Sequence, residues 1–173
     1  MMIKAMGIIM IITACGVWGL SGAKRLEKRQ EQLGELKAAI AFLEKEICFM
    51  HTNLSLAMQK TAEFTRWPAN LVFAVAAEEL GKKKGITAQE AWLKGLKTMQ
   101  AQAQLQPKDI ELMAALAALL GVSNAQEQHK ALTALGEELL LQQQKAQREI
   151  DSNQKLWSYG GFIMGTAIVL LLI

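Results

Sequence analysis

Two stretches without a single charged side chain stand at the ends of this 173-residue chain. Residues 5–23 read AMGIIMIITACGVWGLSGA, and residues 156–173 read LWSYGGFIMGTAIVLLLI. A helix that crosses a bilayer needs about 20 consecutive apolar residues, and each stretch is close to that length. We therefore predict transmembrane helices at 3–23 and 156–173 with a separate domain at 24–155. A buried core helix is the alternative for the second stretch.

The residues outside these stretches exclude several classes of protein. All 19 basic and 16 acidic side chains fall there, and the net charge of +3 is modest for a nucleic-acid-binding protein. Two cysteines cannot build a disulfide framework, and two histidines are too few for a multi-histidine metal site. Two spans are too few for a transporter, and the uncharged ends argue against a secreted soluble enzyme. Ala, Leu, Glu, Gln and Lys are abundant in the middle of the chain, which indicates helices.

Basic residues beside the two stretches set the expected orientation. They follow the first stretch and precede the second: Lys24, Arg25, Lys28, Arg29, Lys145, Arg148 and Lys155. Because the cytoplasmic flanks of membrane helices are enriched in Lys and Arg, we expect residues 24–155 to lie in the cytoplasm. Ile12-Thr13-Ala14-Cys15 supports another interpretation, since it resembles a bacterial lipobox in which Cys15 would be lipidated. A cleaved signal peptide is a further alternative.

Helix signals divide residues 24–155 into six segments. Candidate caps and prolines mark their starts: Thr52, Pro68, Thr87 with Glu90, Pro107, and Ser123 with Gln126. The predicted helices cover about 24–50, 53–65, 68–80, 88–104, 107–121 and 124–154. No Gly/Ser-rich linker separates them, so we expect one domain.

The first and last of these helices carry apolar residues at heptad-like spacing. The first seam comprises Leu26, Leu33, Leu36, Ile40, Leu43, Ile47 and Met50, and the last comprises Leu132, Leu135, Leu139, Ala146 and Ile150. We expect the two seams to pair antiparallel and the four shorter helices to cap them. Those helices contribute the apolar sets Leu71/Val75/Leu80, Trp92/Leu96/Met99 and Ile110/Ala114/Leu116/Leu120. The predicted fold is all-α, a six-helix cytoplasmic bundle between an N-terminal and a C-terminal transmembrane helix.

Residues suited to catalysis are sparse. The chain has no glycine-rich phosphate loop, no GxSxG and no HExxH sequence. His51 and His129 each stand alone, and Cys48 lies beside the first seam, where a small buried apolar residue is expected. We therefore predict no catalytic, cofactor-binding or metal-binding residue, and no enzyme activity.

Three features are candidates for binding partners. Lys82, Lys83 and Lys84 form a basic loop between two glycines, suited to an acidic protein face or to lipid headgroups. A solvated loop that favours the preceding helix C-terminus is the simpler interpretation. Trp67 stands beside Pro68 and suits an interface as well as a core, whereas Trp92 suits a core. Gly161 and Gly165 form a GxxxG pattern, a candidate helix–helix contact inside the membrane.

Three segments carry a family resemblance. The first segment, residues 43–47 (LEKEI) with 51–54 (HTNL), is similar to an LE-x-EI…HTPL pattern. The second, residues 120–124 (LGVSN) with the glutamines that follow, is similar to an LG-x-x-D…Q pattern. The ending from 155 to 173, with its glycines and apolar tail, is the third. In this order and at this length, the whole chain resembles the stage III sporulation protein AB family of endospore-forming bacteria. Asn53 departs from the family's Pro, and Asn124 from its frequent Asp.

The resemblance implies a subunit of the channel complex between mother cell and forespore. The family is similar to the helical domain of the inner-membrane platform protein of type II secretion and type IV pilus systems. By that analogy the chain would sit in the mother-cell membrane, the outer forespore membrane, as a non-enzymatic platform. Its partners would be a secretion-type ATPase resembling stage III sporulation protein AA, other channel subunits and membrane lipid, with no nucleic acid. A membrane-anchored enzyme with an unrecognised site and a two-span regulator of another membrane protein are the alternatives.

Overall fold

The computed structural model describes residues 24–82, 85–120 and 125–172, with side chains of the last helix described from 126 to 152. These residues form six α-helices and contain no strand, which confirms the all-α prediction. Helix α1 covers 24–44 and continues into a π-helical turn at Lys45–Phe49. The others are α2 (Leu54–Phe64), α3 (Asn70–Gly81), α4 (Ala88–Gln100), α5 (Pro107–Ala115) with a 3₁₀ turn at Leu116–Ala118, and α6 (Ala125–Leu172).

The chain divides into two compact units. Arg29–Gln144 forms the larger one, which we call the head; the segments up to Lys28 and from Lys145 onward form the other. The described part of the smaller unit is helical, and within it Ala146 is buried and Ile150 half-buried, as the seam of the last helix predicts.

Membrane crossing was predicted for 3–23 and 156–173. Among the residues with described side chains, no helix is long and apolar enough to cross a membrane. The segment 3–23 lies outside the described residues, and so do the side chains of 156–173, although the α6 backbone is helical to Leu172.

Within the head, α1 and α6 pair antiparallel. Four leucines or isoleucines of the α1 seam and three leucines of the α6 seam are buried: Leu33, Leu36, Ile40, Leu43, Leu132, Leu135 and Leu139. Glu44 accepts a 2.7 Å hydrogen bond from the Thr133 hydroxyl, and a Cβ on Gly34 would lie 2.7 Å from Nε2 of Gln143. The later of these two α1 residues contacts the earlier of the two α6 residues, which confirms the predicted antiparallel pairing.

The π-helical turn ends the first seam earlier than the heptad spacing predicts. Ile47 is half-buried and Met50 is 57% exposed, so the expectation that Met50 belongs to the seam is wrong. A π turn holds more residues per turn than an α turn, so it shifts the face on which each following residue lies. Glu46 consequently takes a buried position, and His51, with φ 51°, turns the chain toward α2.

The start of α2 corrects a second prediction. Asn53, not Thr52, caps this helix, because its side-chain oxygen accepts a 3.0 Å hydrogen bond from the Ser55 N–H. Thr52 instead donates to Glu46 Oε2 at 2.8 Å. Both residue types suit the N-cap position, and the contact with Glu46 occupies the threonine hydroxyl.

The middle of the head is built around α3, which packs against both α2 and α4. Phe73 of α3 meets Trp92 of α4 edge to face, with ring centroids 5.5 Å apart. The Trp92 indole N–H donates to the Met113 carbonyl at 2.8 Å, which confirms Trp92 as a core residue. A Cβ on Gly95 would collide with the Val72 carbonyl oxygen. The backbones of α3 and α4 are therefore in direct contact at this point.

The other helix boundaries are close to those predicted. Thr87 and Glu90 form the expected capping box of α4, and Pro107 occupies the first turn of α5. Helix α4 ends at Gln100 instead of near 104, since the Gln104 N–H donates to Gln32 of α1 at 2.8 Å. The Leu71/Val75/Leu80 set is half-buried and was wrongly expected in the core, because α3 turns Val72, Phe73 and Ala76 inward. Ser123 and Asn124 lie outside the described residues.

Candidate partner-binding surface

Trp67 and Lys82 are the predicted partner-binding residues that the structure describes in the head. Trp67 lies in the turn between α2 and α3 and is 64% exposed, so it is available to a partner. Lys82 is the C-cap residue of α3, whereas Lys83 and Lys84 lie outside the described residues. Gly161 and Gly165 belong to the helical backbone of α6, beyond the part whose side chains are described.

Two phenylalanines that stack on each other were not predicted from the sequence, and one of them, Phe64, comes shortly before Trp67 in the chain. Phe42 of α1 and Phe64 of α2 stack in parallel, with ring centroids 4.6 Å apart and planes 8° apart. Phe64 is 54% exposed and stands two residues before Arg66, which pairs with Glu35 of α1 at 3.8 Å. Phe64 stands seven residues after the buried Ala57, a spacing that places both on one face of α2, so helical periodicity predicts a core position and gives no signal of its exposure.

Lys82 is held by acidic residues of its own helix. Its Nζ lies 2.7 Å from Glu78 Oε1 and 2.8 Å from Glu79 Oε1, and Lys94 of α4 also reaches Glu79 at 2.8 Å. Hydrogen bonds from Lys82 and then Lys94 lower the pKa of Glu79 to about 2. Hydrogen bonds to Glu78 and then Glu79 raise the pKa of Lys82 to about 12. The Glu79–Lys94 pair therefore links α3 to α4, and Lys82, held by two glutamates of α3, is only partly free for a partner.

Glu46 is the centre of a second polar cluster, at the π-helical turn. It accepts hydrogen bonds from Lys60 at 2.7 Å and from the Thr52 hydroxyl at 2.8 Å. Both bonds lower the pKa of Glu46, and the bond from Lys60 has the larger effect. The cluster ties the π turn to α2 and accounts for the burial of a carboxylate at this position.

A buried ion pair fastens α5 to α1. The Arg29 guanidinium donates from Nε to Asp109 Oδ2 at 2.8 Å and from a terminal nitrogen to Oδ1 at 3.0 Å. Asp109 is fully buried and also accepts the Gln106 backbone N–H at 2.9 Å. Arg29 was expected to contribute to the basic flank of the first span, but its charge is used inside the head, while Lys24, Arg25 and Lys28 are exposed.

Groups capable of covalent or metal chemistry are dispersed in the described part of the chain. No three His, Cys, Asp or Glu side chains there lie close enough to hold a metal ion. Burial, with Glu44 as a smaller cause, raises the pKa of the Cys48 thiol. His129 lies with Nδ1 2.7 Å from Glu44 Oε1 and its ring edge-on to Phe49, which is a packing arrangement between α6 and the π turn.

The amino-acid sequence matches known proteins along nearly the whole chain. A family model described as stage III sporulation protein AB matches residues 4–173. The chain belongs to the stage III sporulation protein AB family. Membership implies a role in sporulation, and it confirms the resemblance carried by residues 43–54, 120–128 and 155–173.

Two individual relatives support the assignment to the sporulation protein AB family. The stage III sporulation protein AB of Bacillus subtilis (strain 168) is 28% identical over 171 residues, which cover 99% of each chain. A solved structure named stage III sporulation protein AB (SpoIIIAB) superposes with a TM-score of 0.67 at 26% identity. The superposition covers 72% of this chain and 97% of the chain in that structure. Asn53, which departs from the family's Pro, caps α2, so the departure preserves the helix start.

Proposed function

We propose that this chain is a non-enzymatic membrane platform of the mother cell–forespore channel complex that endospore formation requires. Its head would lie in the mother-cell cytoplasm and bind a secretion-type ATPase that resembles stage III sporulation protein AA. Two membrane helices, at 3–23 and 156–173, would hold it in the outer forespore membrane and place it beside other channel subunits. The head would couple the ATPase to the channel by transmitting motion or by fixing its position.

The continuity of α6 is the observation that carries this proposal. One unbroken helix contains both the buried seam of Leu132, Leu135 and Leu139 and the uncharged segment that begins at residue 156. The exposed lysines 24 and 28 and Arg25 follow the first uncharged segment and favour a cytoplasmic head.

The exposed aromatic surface supports a protein partner. Trp67 and Phe64 are each more than half exposed, and tryptophan is among the residues that contribute most binding energy at protein interfaces. Neither side chain is required for the core formed by Phe73 and Trp92. Exposed aromatic residues that the core does not use favour a recognition role for this end of α2.

Co-purification of the full-length chain with the ATPase from membranes of sporulating cells tests the proposal. We expect the two proteins to elute together at low salt and Trp67→Ala to weaken their association about tenfold, as for an interface hot spot. Leu141→Ala is the matched control, because Leu141 is 48% exposed on α6, and it should leave the association unchanged. Absence of association with both proteins intact would contradict the proposal.

A further inference from the structure

An open groove of about 630 Å³ runs between α2 and α3 on the head. Its lining includes small side chains, which we call the floor: Ala62 of α2 and Ala74 and Ala77 of α3. The two helices are antiparallel, since the Ser55 hydroxyl near the start of α2 donates to the Ala77 carbonyl near the end of α3 at 3.3 Å. Two neighbouring helices with alanines between them leave a channel into which side chains of a third helix fit.

The walls of this groove carry negative charge. Glu63 of α2 and Glu78 of α3 line it, and among the described residues that line it there is no Lys, Arg or His. Glu63 is exposed and accepts one hydrogen bond, from the Gln59 amide at 3.2 Å. Glu78 contacts Lys82, but Lys82 also binds Glu79 at 2.8 Å and would keep that partner if Glu78 turned to another cation.

Asn70 adds an acceptor that the described chain leaves unsatisfied. Its side-chain Oδ1 is buried and accepts no hydrogen bond from the described residues, although Asn70 lines the groove. A buried acceptor without a donor costs about 1–3 kcal/mol in general, so an arriving donor would be favoured. The terminal torsion of an asparagine side chain is broad, so the amide can turn its oxygen toward the groove at small cost.

We propose that the groove binds a helix of a partner protein that inserts an arginine against Glu63 and Asn70, with Glu78 adding negative charge at the other end of the groove. The Ser55–Ala77 contact places the end of α2, with Glu63, beside the start of α3, with Asn70, whereas Glu78 lies about 12 Å farther along α3. An arginine has five N–H donors in a planar fork, enough to meet the Glu63 carboxylate and the Asn70 oxygen together. The alanine floor admits the close approach that such an insertion requires. The acidic walls disfavour the phosphate of a lipid headgroup, which carries the same charge.

The inference rests on the proposed function only in assuming that the partner is a protein. Its test uses the full-length chain in sporulating cells, with the photoreactive residue p-benzoylphenylalanine placed at Ala74 on the groove floor. The matched control carries it at Ala115, which is exposed on α5. We expect Ala74, and not Ala115, to capture a partner segment with an arginine within about one helical turn of the crosslinked residue.

Charge reversal then tests the chemistry of the contact. Glu63→Lys with Glu78→Lys should reduce capture at Ala74 about tenfold or more. Glu111→Lys on α5 is the matched control and should leave capture unchanged, because Glu111 is an exposed glutamate outside the groove. Replacing the partner's arginine with glutamate should restore capture to the charge-reversed chain.

The outcomes separate this inference from the proposed function. If the ATPase co-purifies while Ala74 captures nothing, the groove inference is overturned and the platform proposal stands. If Ala74 captures an arginine-bearing segment of a protein other than the ATPase, the groove inference stands and the ATPase assignment fails. Capture of lipid, of a second copy of this chain, or of a segment whose binding ignores charge reversal would overturn the groove inference.

Discussion

Arg29 and Asp109 are 80 residues apart in the chain and meet through two hydrogen bonds inside the head. A planar guanidinium and a carboxylate in this geometry satisfy each other, which a lysine at position 29 would not achieve. Sequence patterns place Arg29 in a row of basic residues that flank a membrane span. Its real partner lies far along the chain, where local spacing carries no information, so the pair could not have been predicted.

Removing one member of this pair should be much more harmful than removing an exposed ion pair. Asp109→Ala removes two hydrogen bonds from the buried Arg29 guanidinium and the acceptor of the Gln106 N–H, and we expect a loss of about 3–5 kcal/mol in unfolding free energy. Glu35→Ala, which breaks the exposed pair with Arg66, should cost less than about 1 kcal/mol. Denaturant unfolding of the full-length variants in detergent measures both. Equal losses would show that burial does not set the strength of the Arg29 pair.

Glu79 contributes to the stability of the head, and the direction in which this contribution changes with pH is known. Lys82 and then Lys94 lower its pKa from 4.5 to about 2, so the folded head favours the ionised carboxylate. The resulting stability is complete above pH 4.5 and disappears as the pH falls through about 2. We expect Glu79→Gln to be less stable than the wild-type chain at neutral pH, with the difference closing between pH 4.5 and 2.

The acid unfolding midpoint of Glu79→Gln, compared at low and high salt, measures that contribution. Because the side chains of Lys82 and Lys94 are exposed, salt should reduce the difference at neutral pH. Glu111→Gln is the control, since Glu111 is exposed on a different helix. A gap that persists below pH 2 would mean that Glu79 stabilises the head by packing and not by charge.

At the scale of helices, the spacing of apolar residues predicted the buried seams, whereas it could not predict the contacts of single residues. The seam from Leu33 to Leu43 and the seam from Leu132 to Leu139 follow from apolar periodicity, and both are buried. The π turn at Lys45–Phe49 was missed, because an extra residue per turn leaves no mark in composition. The aromatic pair Phe42–Phe64 was also missed, since it depends on how α1 and α2 are placed against each other.

Two glycines separate the effect of helix packing from that of helix propensity. At Gly95, a Cβ would collide with the Val72 carbonyl oxygen and lie 3.0 Å from its carbonyl carbon, so Gly95→Ala must push α3 and α4 apart. We expect a loss of about 1–3 kcal/mol. At Gly136 in α6 a Cβ meets nothing within 4 Å, and Gly136→Ala should stabilise by up to about 1 kcal/mol.

Thermal unfolding of the two alanine variants, monitored by helical circular dichroism, decides between these effects. The same chemical change should lower the midpoint at Gly95 and raise it at Gly136. If both variants were stabilised, helix propensity would outweigh the contact between α3 and α4. The backbone carbonyl of Val72 would then have to move without cost.

At the scale of the whole molecule, the charge distribution assigns membrane attachment and partner recognition to different parts of the chain. The two uncharged ends predict membrane helices, and all charged side chains that could recognise a partner lie outside them. The head, Arg29–Gln144, is compact by itself and contains the aromatic surface at Phe64 and Trp67. A platform needs both parts in one chain, whereas an enzyme acting on a soluble substrate needs only the head.

Freeing the head from the two ends therefore distinguishes the two classes of function. A chain reduced to residues 24–155 should keep its helices, because the buried seams of α1 and α6 and the Trp92 core all lie within it. We expect this variant to leave the membrane fraction and to lose the ability to support sporulation, although it folds. Replacing 3–23 and 156–173 with unrelated membrane helices should restore membrane attachment and at least part of sporulation, since the platform proposal assigns partner recognition to the head. Full sporulation by the free head would contradict a platform and favour an enzyme, because catalysis on a soluble substrate does not require a fixed position at the membrane.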